Sequence, residues 1–193
     1  MRKETDSMSK RRRYDVVTLG DLVKQVTLWV VDIILVIALA LSVSHLFATR
    51  VRMEGSSMAA TLSNGDKLML NRLRGPILPI QRYDIVAYEL DSREGVFLKR
   101  VLALPGERLQ IREGKVFING EVLPENDYTK SLSYAGEAQQ VITLGEEEYF
   151  VIGENADASL DSRFSDVGNI PGRNILGTVW FRYAPFQHLR FFP

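Results

Sequence analysis

Three short segments of this chain contain the side chains best suited to covalent chemistry. They are Gly55–Leu62, which reads Gly-Ser-Ser-Met-Ala-Ala-Thr-Leu, Phe97–Val101, which sets Lys99 among apolar residues, and the polar stretch Gly153–Arg163. A serine hydroxyl becomes a nucleophile at neutral pH only when a base takes its proton. A lysine can be that base if burial lowers the pKa of its amine. Residue types and spacing alone favour a solvated strand lysine and an ordinary Gly-Ser-Ser turn over a pairing of Ser57 with Lys99.

Composition narrows the alternatives. The 193 residues include no cysteine and only two histidines, His45 and His188. Thiol nucleophiles, disulfides and cysteine metal sites are thereby excluded, and a histidine triad or a zinc site has little to draw on. The 24 basic residues balance the 24 acidic ones, whereas a nucleic-acid binder usually carries a basic excess. We therefore expect no cofactor, no metal site and no nucleic-acid partner.

An apolar segment at residues 26–48 is long enough to cross a membrane. As a helix it would measure roughly 35 Å, against about 30 Å for the hydrocarbon core of a bilayer. A buried core helix this apolar on all sides would need a far larger protein around it. Seven basic residues precede the segment and two follow it closely, so the positive-inside rule predicts a cytoplasmic tail at 1–25 and an extracytoplasmic domain at 49–193. Asp32 falls within the segment, and we place it near the cytosolic headgroups, where the cost of a charge is lower.

Beyond residue 50 the sequence predicts a mainly β domain. Short apolar runs separated by turn residues are typical of strands. Asn119-Gly120 lies between two such runs and can supply the positive φ angles of a type I′ turn, so it predicts a hairpin. The polar stretch Asn126–Gln140 is predicted to be an exposed loop. The predicted strands are Asp66–Asn71, Asp84–Glu89, Val96–Leu104, Leu109–Ile111, Lys115–Ile118, Tyr149–Ile152 and Ile175–Tyr183.

Taken together and in order, the motifs resemble those of the bacterial type I signal peptidases. After the apolar segment come Ser-Met-x-x-Thr-Leu, Gly-Asp, Lys-Arg-Val-x-x-x-Pro-Gly and Gly-x-Asn-x-x-x-Ser-x-Asp-Ser-Arg. The resemblance covers that segment and most of residues 50–185. It implies one N-terminal transmembrane helix followed by a mainly antiparallel β-sheet catalytic core. A small β insertion is expected at residues 105–148.

The resemblance also implies a mechanism. Ser57 would be the nucleophile and Lys99 the general base of a membrane-bound serine endopeptidase that removes signal peptides from exported preproteins. Ser159 corresponds to a serine that hydrogen-bonds the lysine amine. Asp161 and Arg163 correspond to a supporting ion pair.

Further positions concern the substrate. Gly55 falls at the second oxyanion position, beside the backbone N–H of the nucleophile. The resemblance implies cleavage after a small residue, with another small residue two positions earlier. Met58 and Phe97 are expected to line the shallow apolar pockets that this needs, with plain core packing as the alternative. The chain departs from the family pattern at Ala60, where proline is usual, and at Ala156, but neither change removes a proton-transfer group.

Two other functions fit the same sequence. One is a peptidase specialised for a single substrate such as a pilin, for which the departures at Ala60 and Ala156 are the only support. The other is a non-catalytic, membrane-anchored assembly factor on the same fold, which the retention of both Ser57 and Lys99 disfavours.

The lipid bilayer is a predicted partner of the exported domain as well as of the anchor. Phe186, Phe191 and Phe192 lie beyond the last long strand, and Pro185 separates them from it. Aromatic rings and arginines are well suited to a membrane interface. We therefore expect this C-terminal run to touch the outer face of the membrane.

Overall fold

A computed structural model describes residues 19–129, 132, 134–155 and 158–192 of the chain. It begins with one long helix, α1 (Leu19–Phe47). The stretch Leu19–Ser44 is long and apolar enough to cross a membrane, and none of it is buried inside the protein. Asp21 lies in the first turn, where a negative charge interacts favourably with the helix dipole. The helix therefore begins before the apolar segment predicted to start at residue 26.

Within the described residues, twelve strands form two antiparallel sheets. The larger sheet has the order β1-β2-β11-β3-β4-β9-β10, with β12 paired to β11, and the smaller has the order β7-β6-β5-β8. The strands are β1 (Ala48–Arg52), β2 (Lys67–Asn71), β3 (Ile85–Leu90), β4 (Arg93–Ala103), β5 (Arg108–Arg112), β6 (Lys115–Ile118), β7 (Glu121–Val122), β8 (Ile142–Thr143), β9 (Glu148–Ile152), β10 (Ile170–Pro171), β11 (Ile175–Ala184) and β12 (Arg190–Phe191).

The prediction of a mainly β, antiparallel fold is confirmed. Asn119 and Gly120 have φ angles of 55° and 89° and join β6 to β7 as the predicted hairpin. The strands of the smaller sheet lie between residues 108 and 143, inside the range predicted for the insertion.

The core lies on both faces of the larger sheet. Successive side chains of a strand point to opposite faces. Ile85 and Leu98 accordingly belong to the apolar cluster on one face, while Val86 and Val101 belong to the cluster on the other. Because β3 and β4 are covered on both sides, polar side chains in their buried parts are shielded from water and are stabilised by partners within the protein; Tyr88 Oη on β3 has no such partner among the described residues.

The described part of Asn126–Gln140 differs from the predicted exposed loop. Leu132 and Ala138 are 2% and 0% exposed and belong to the core of the smaller sheet. Thr129 is buried as well, and residues Gly136–Gln139 form a short 3-10 helix. The prediction of exposure was wrong here because the polar composition concealed a few apolar anchors.

Candidate active site

Ser57 and Lys99 meet at the centre of the larger sheet. The Lys99 amine donates a hydrogen bond to Ser57 Oγ at 2.8 Å. Lys99 is 4% exposed and lies opposite Val86 in the pairing of β4 with β3. Burial lowers the pKa of Lys99 from 10.5 to about 8, although the charge of Asp161 raises it and that of Arg163 lowers it further. A substantial fraction of the amine is therefore neutral at mildly alkaline pH, and only the neutral form can accept a proton.

The turn that carries Ser57 is held in place by buried apolar side chains and by its own backbone hydrogen bonds. Met58 and Leu62 have no exposed surface and pack in the core cluster that contains Ile85 and Leu98. The N–H groups of Thr61 and Leu62 both donate to the carbonyl of Met58, at 3.0 and 2.6 Å. Ser57 is thus the neighbour of an immobilised residue, so its backbone has little freedom to move.

The third segment packs directly against this turn. The N–H of Asn155 donates to the carbonyl of Ser57 at 3.0 Å. Gly153 is confined on the same side, since a Cβ built there would lie 2.1 Å from Ser159 Oγ and 2.8 Å from the carbonyl oxygen of Ser57. Only glycine fits between the two serines without displacing one of them.

Asp161 organises the charged part of the site. Its carboxylate accepts hydrogen bonds from Ser159 Oγ at 2.7 Å and from the N–H of Gly153 at 2.8 Å. Arg163 donates to both carboxylate oxygens, each at 2.8 Å, and both side chains of this ion pair have no exposed surface. Burial raises the pKa of Asp161, but the hydrogen bonds and charge of Arg163, with help from Gly153 and Ser159, outweigh it and leave the pKa lowered. The carboxylate is therefore ionised.

Ser159 and Gly55 lie at the site with other partners than the resemblance implied. Ser159 donates to Asp161, and among the described residues the Lys99 amine is hydrogen-bonded to Ser57. The predicted bond between Ser159 and the amine stays a prediction. Gly55 adopts φ +80°, and its N–H donates to Asn64 Oδ1 at 3.1 Å, so that group is already occupied.

A cavity of about 200 Å³ opens beside Ser57 and Lys99. Phe97 lines it, as expected for a substrate pocket, whereas Met58 is fully buried in the core and is not among the lining residues. The predicted contact of Met58 with substrate stays a prediction. The apolar lining residues are Leu90, Phe97, Ala158, Leu160 and Val167.

Sequence reasoning missed a second polar network on the opposite face of β4. Arg100 follows Lys99 and so points the other way, where its Nε donates to Glu154 Oε1 at 2.8 Å. The same oxygen accepts from Thr61 Oγ1 at 2.8 Å. Arg100 and Glu154 are 5% and 8% exposed. The sequence held one signal for it, because an arginine on a strand buried on both faces keeps its charge and needs an acidic partner.

This network joins the same two segments from behind. Thr61 belongs to the nucleophile turn, while Glu154 lies between Gly153 and Asn155, which contact Ser57.

Of the two departures from the family pattern, Ala60 is exposed in the turn and Ala156 lies outside the described residues. Among the described residues, no cluster of three or more acidic or histidine side chains could hold a metal ion.

Comparison with known proteins identifies similar chains. A family model described as signal peptidase, peptidase S26, matches residues 26–184. Signal peptidase I of Bacillus amyloliquefaciens is 32% identical over 169 residues, which cover 84% of this chain and 87% of that protein. Signal peptidase I of Bacillus caldolyticus is 34% identical over 175 residues, with coverages of 84% and 92%. A crystal structure of a signal peptidase I from Enterococcus faecalis V583 is 27% identical with a TM-score of 0.44, and the match covers 52% of this chain and 96% of that one.

Proposed function

The chain belongs to the signal peptidase family, peptidase S26, and on that premise we propose that Ser57 and Lys99 are the nucleophile and general base with which it cleaves. The protein is a serine endopeptidase that removes signal peptides from exported preproteins. The observation that carries the assignment of residues is the 2.8 Å contact between Lys99 Nζ and Ser57 Oγ in a buried setting. The same contact favours an active peptidase over a non-catalytic assembly factor.

The reaction proceeds in two proton-coupled steps. The neutral Lys99 amine takes the proton of Ser57 Oγ as that oxygen attacks the carbonyl carbon of the scissile bond. The protonated amine then gives the proton to the leaving nitrogen, the C–N bond breaks, and an ester joins the signal peptide to Ser57. Water, deprotonated by the same amine, hydrolyses the ester and frees the serine.

The negative charge that develops on the carbonyl oxygen needs donors already in place. The backbone N–H of Ser57 makes no hydrogen bond to any of the described residues, so we assign it to that oxygen. Gly55 lacks a side chain and its N–H is held by Asn64, so the second donor has to come from solvent or from a small movement of this turn.

Asp161, Arg163 and Ser159 support the segment that packs against Ser57. The ion pair anchors Ser159 and Gly153 through hydrogen bonds, and Gly153 in turn abuts the carbonyl of Ser57. The charge of Asp161 also keeps the Lys99 pKa from falling further. The amine consequently stays basic enough to take a proton while remaining partly neutral.

The cavity beside the dyad receives the residue that precedes the cut. Its lining by Phe97 and Leu160 suits an apolar side chain. This agrees with the Ala-x-Ala preference implied by the family resemblance.

The N-terminus is cytoplasmic and the β domain extracytoplasmic, by the distribution of basic residues around α1. The chain has no cysteine, so single-cysteine variants can be labelled without background. In right-side-out spheroplasts, a membrane-impermeant maleimide should label Lys115→Cys, at an exposed position of β6, but not Lys10→Cys in the tail. The reverse labelling would contradict this orientation.

The C-terminal apolar surface, made of Phe186, Leu189 and Phe191, contacts the lipid. These residues are 85%, 52% and 68% exposed. Phe192 packs against the core, so we no longer include it among the residues predicted to contact the membrane. Trp180 lies 5.9 Å from Phe191 between ring centroids and can report on this surface. In full-length protein carrying Trp29→Phe, brominated lipids should quench Trp180 fluorescence. If brominated lipids do not quench Trp180 fluorescence, the proposed contact is refuted.

Cleavage of a synthetic preprotein peptide tests the assignment of the dyad. Ser57→Ala and Lys99→Ala should each abolish turnover, and the double variant should be no worse than either alone, since the two groups act as a unit. Ser56→Ala is the matched control and should retain most of the rate. Near-wild-type turnover by either Ser57→Ala or Lys99→Ala would overturn the mechanism.

A further inference from the structure

An aromatic residue from the smaller sheet's connecting segment covers the charged network behind the dyad. Tyr128 places its ring over the Arg100 guanidinium, with 3.7 Å between the guanidinium carbon and the ring centroid. Tyr83 lies beside it at 5.8 Å between ring centroids. Both tyrosines and Arg100 line a cavity of about 300 Å³ on this face. Tyr128 therefore covers one face of the Arg100 guanidinium at the edge of this cavity.

Arg100 depends on that cover. An ion pair gains strength when water is excluded from it, and it weakens when water can compete for its hydrogen bonds. Glu154 offers Arg100 a single oxygen, Oε1, while its buried Oε2 has no hydrogen-bond partner among the described residues. Water that entered past Tyr128 would find an unsatisfied oxygen next to the pair and could rearrange it.

Rearrangement of this pair would reach Ser57 by two short routes. Thr61, which donates to Glu154 Oε1 and accepts from Arg100, belongs to the turn that begins just before Ser57. Glu154 itself lies between Gly153 and Asn155, and the Asn155 N–H holds the carbonyl of Ser57. The position of the nucleophile is thus tied to the Arg100–Glu154 pair on both sides.

We propose that Tyr128 is a positioning residue of the peptidase, which acts through Arg100 to hold Ser57 in line with Lys99. The segment that follows the smaller sheet's hairpin thereby takes part in catalysis without touching the substrate. The proposal rests on the function proposed above for Ser57 and Lys99. Tyr128 does not line the cavity beside the dyad, so its loss should change kcat rather than KM.

The first experiment compares Tyr128→Ala with Tyr128→Phe in the full-length chain in detergent micelles, with the preprotein peptide as substrate. A cation–π contact of a partly buried arginine is worth about 1 kcal/mol, or roughly a fivefold change in rate. We expect Tyr128→Ala to lower kcat about 3- to 10-fold per folded molecule, with KM within about twofold. Tyr128→Phe keeps the ring and should restore kcat to within about twofold of wild type.

A matched control comes from the smaller sheet itself. Arg112 stacks on Phe117, with 4.9 Å from the guanidinium carbon to the ring centroid, and neither residue contacts the dyad networks. Phe117→Ala removes an arginine–aromatic contact of the same kind, so it should leave kcat unchanged even if it lowers the melting temperature. An equal loss of kcat in Phe117→Ala and Tyr128→Ala would mean that the effect is general destabilisation, and it would overturn the proposal.

A double-mutant cycle tests the route through Arg100. Lysine at position 100 cannot form the same stacked, two-pronged contact, so Tyr128→Ala should cause no further loss of kcat in an Arg100→Lys background. A full additional loss there would show that Tyr128 acts independently of Arg100 and would refute the inference. Wild-type kcat in Tyr128→Ala, with Ser57→Ala inactive, would refute this inference alone, whereas turnover by Ser57→Ala would refute the proposed function.

Discussion

A single methyl group added at Gly153 should disable the site. In Gly153→Ala the new Cβ would lie 2.1 Å from Ser159 Oγ, 2.4 Å from Ser159 Cβ and 2.8 Å from the carbonyl oxygen of Ser57. Ordinary contacts of a Cβ begin at 3.4 Å, so a neighbouring group has to move by more than about 1 Å. Ser159 is hydrogen-bonded to Asp161, and Ser57 lies in a turn whose backbone is confined. Every available movement therefore disturbs the dyad or its support.

The structure sets the size of the effect. Overpacking a close-packed interior costs about 1–3 kcal/mol, which corresponds to a fall in melting temperature of about 3–10 °C for a domain of this size. A displacement of about 1 Å between reacting groups costs on the order of 100-fold in rate. Gly153→Ala should therefore remain folded at 25 °C while its kcat falls about 100-fold.

The assay is peptide cleavage at saturating substrate, together with thermal melting of the same preparation. Gly145→Ala is the matched control, because a Cβ there would meet the flexible side chain of Glu148 at 3.3 Å and lies away from the dyad. It should retain at least half of the wild-type kcat. If Gly153→Ala melts at the lower temperature but cleaves at the wild-type rate, then Gly153 does not position Ser57, and the reasoning fails.

Four further outcomes are expected. The cleavage rate should rise with pH through a midpoint near 8. Burial lowers the pKa of Lys99 to about 8, and the amine must be neutral to accept a proton. A pH–rate profile centred near the pKa of histidine, about 6.5, would contradict this assignment. Asp161→Asn should lower the free energy of unfolding by about 3–5 kcal/mol, measured by urea denaturation, because it leaves Arg163 buried and uncompensated. It should also move the midpoint of the pH–rate profile to lower pH, since Asp161 raises the Lys99 pKa; an unchanged midpoint would exclude their electrostatic coupling. Peptides with phenylalanine in place of the small residue before the cut should resist cleavage, measured by mass spectrometry, because the family resemblance implies a shallow pocket for a small residue there; efficient cleavage of such peptides would rule out that pocket.

Sequence alone predicted those features that local pattern encodes. Short apolar runs between turn residues predicted the long strands, and Asn119-Gly120 predicted its hairpin. The ion pair of Asp161 with Arg163, by contrast, was implied by the family resemblance. Strand β1 went unpredicted because it is short, charged and continuous with α1, and it is ordered by pairing with β2 rather than by its own composition.

The parts of the site that could not be predicted from the residues alone are contacts between positions far apart in the sequence. Ser57 and Lys99 are 42 residues apart, and no periodicity or propensity specifies that two such residues meet, so their pairing rested on family resemblance. Arg100 and Glu154 are separated by 54 residues, and their contact was missed for the same reason. Met58 lies in the core, which is the alternative that the sequence left open for it.

The adjacency of Lys99 and Arg100 on β4 makes catalysis depend on strand register. The pairing sets Lys99 opposite Val86 and Arg100 opposite Ile85, and a slip by one residue would exchange the faces on which the two side chains lie. Arginine stays protonated throughout the accessible pH range and could not take the proton of the serine. A chain that folded with this slip would keep its sheet yet would have no base, so the two charged networks, one on each face, select the only alignment in which the protein can cleave.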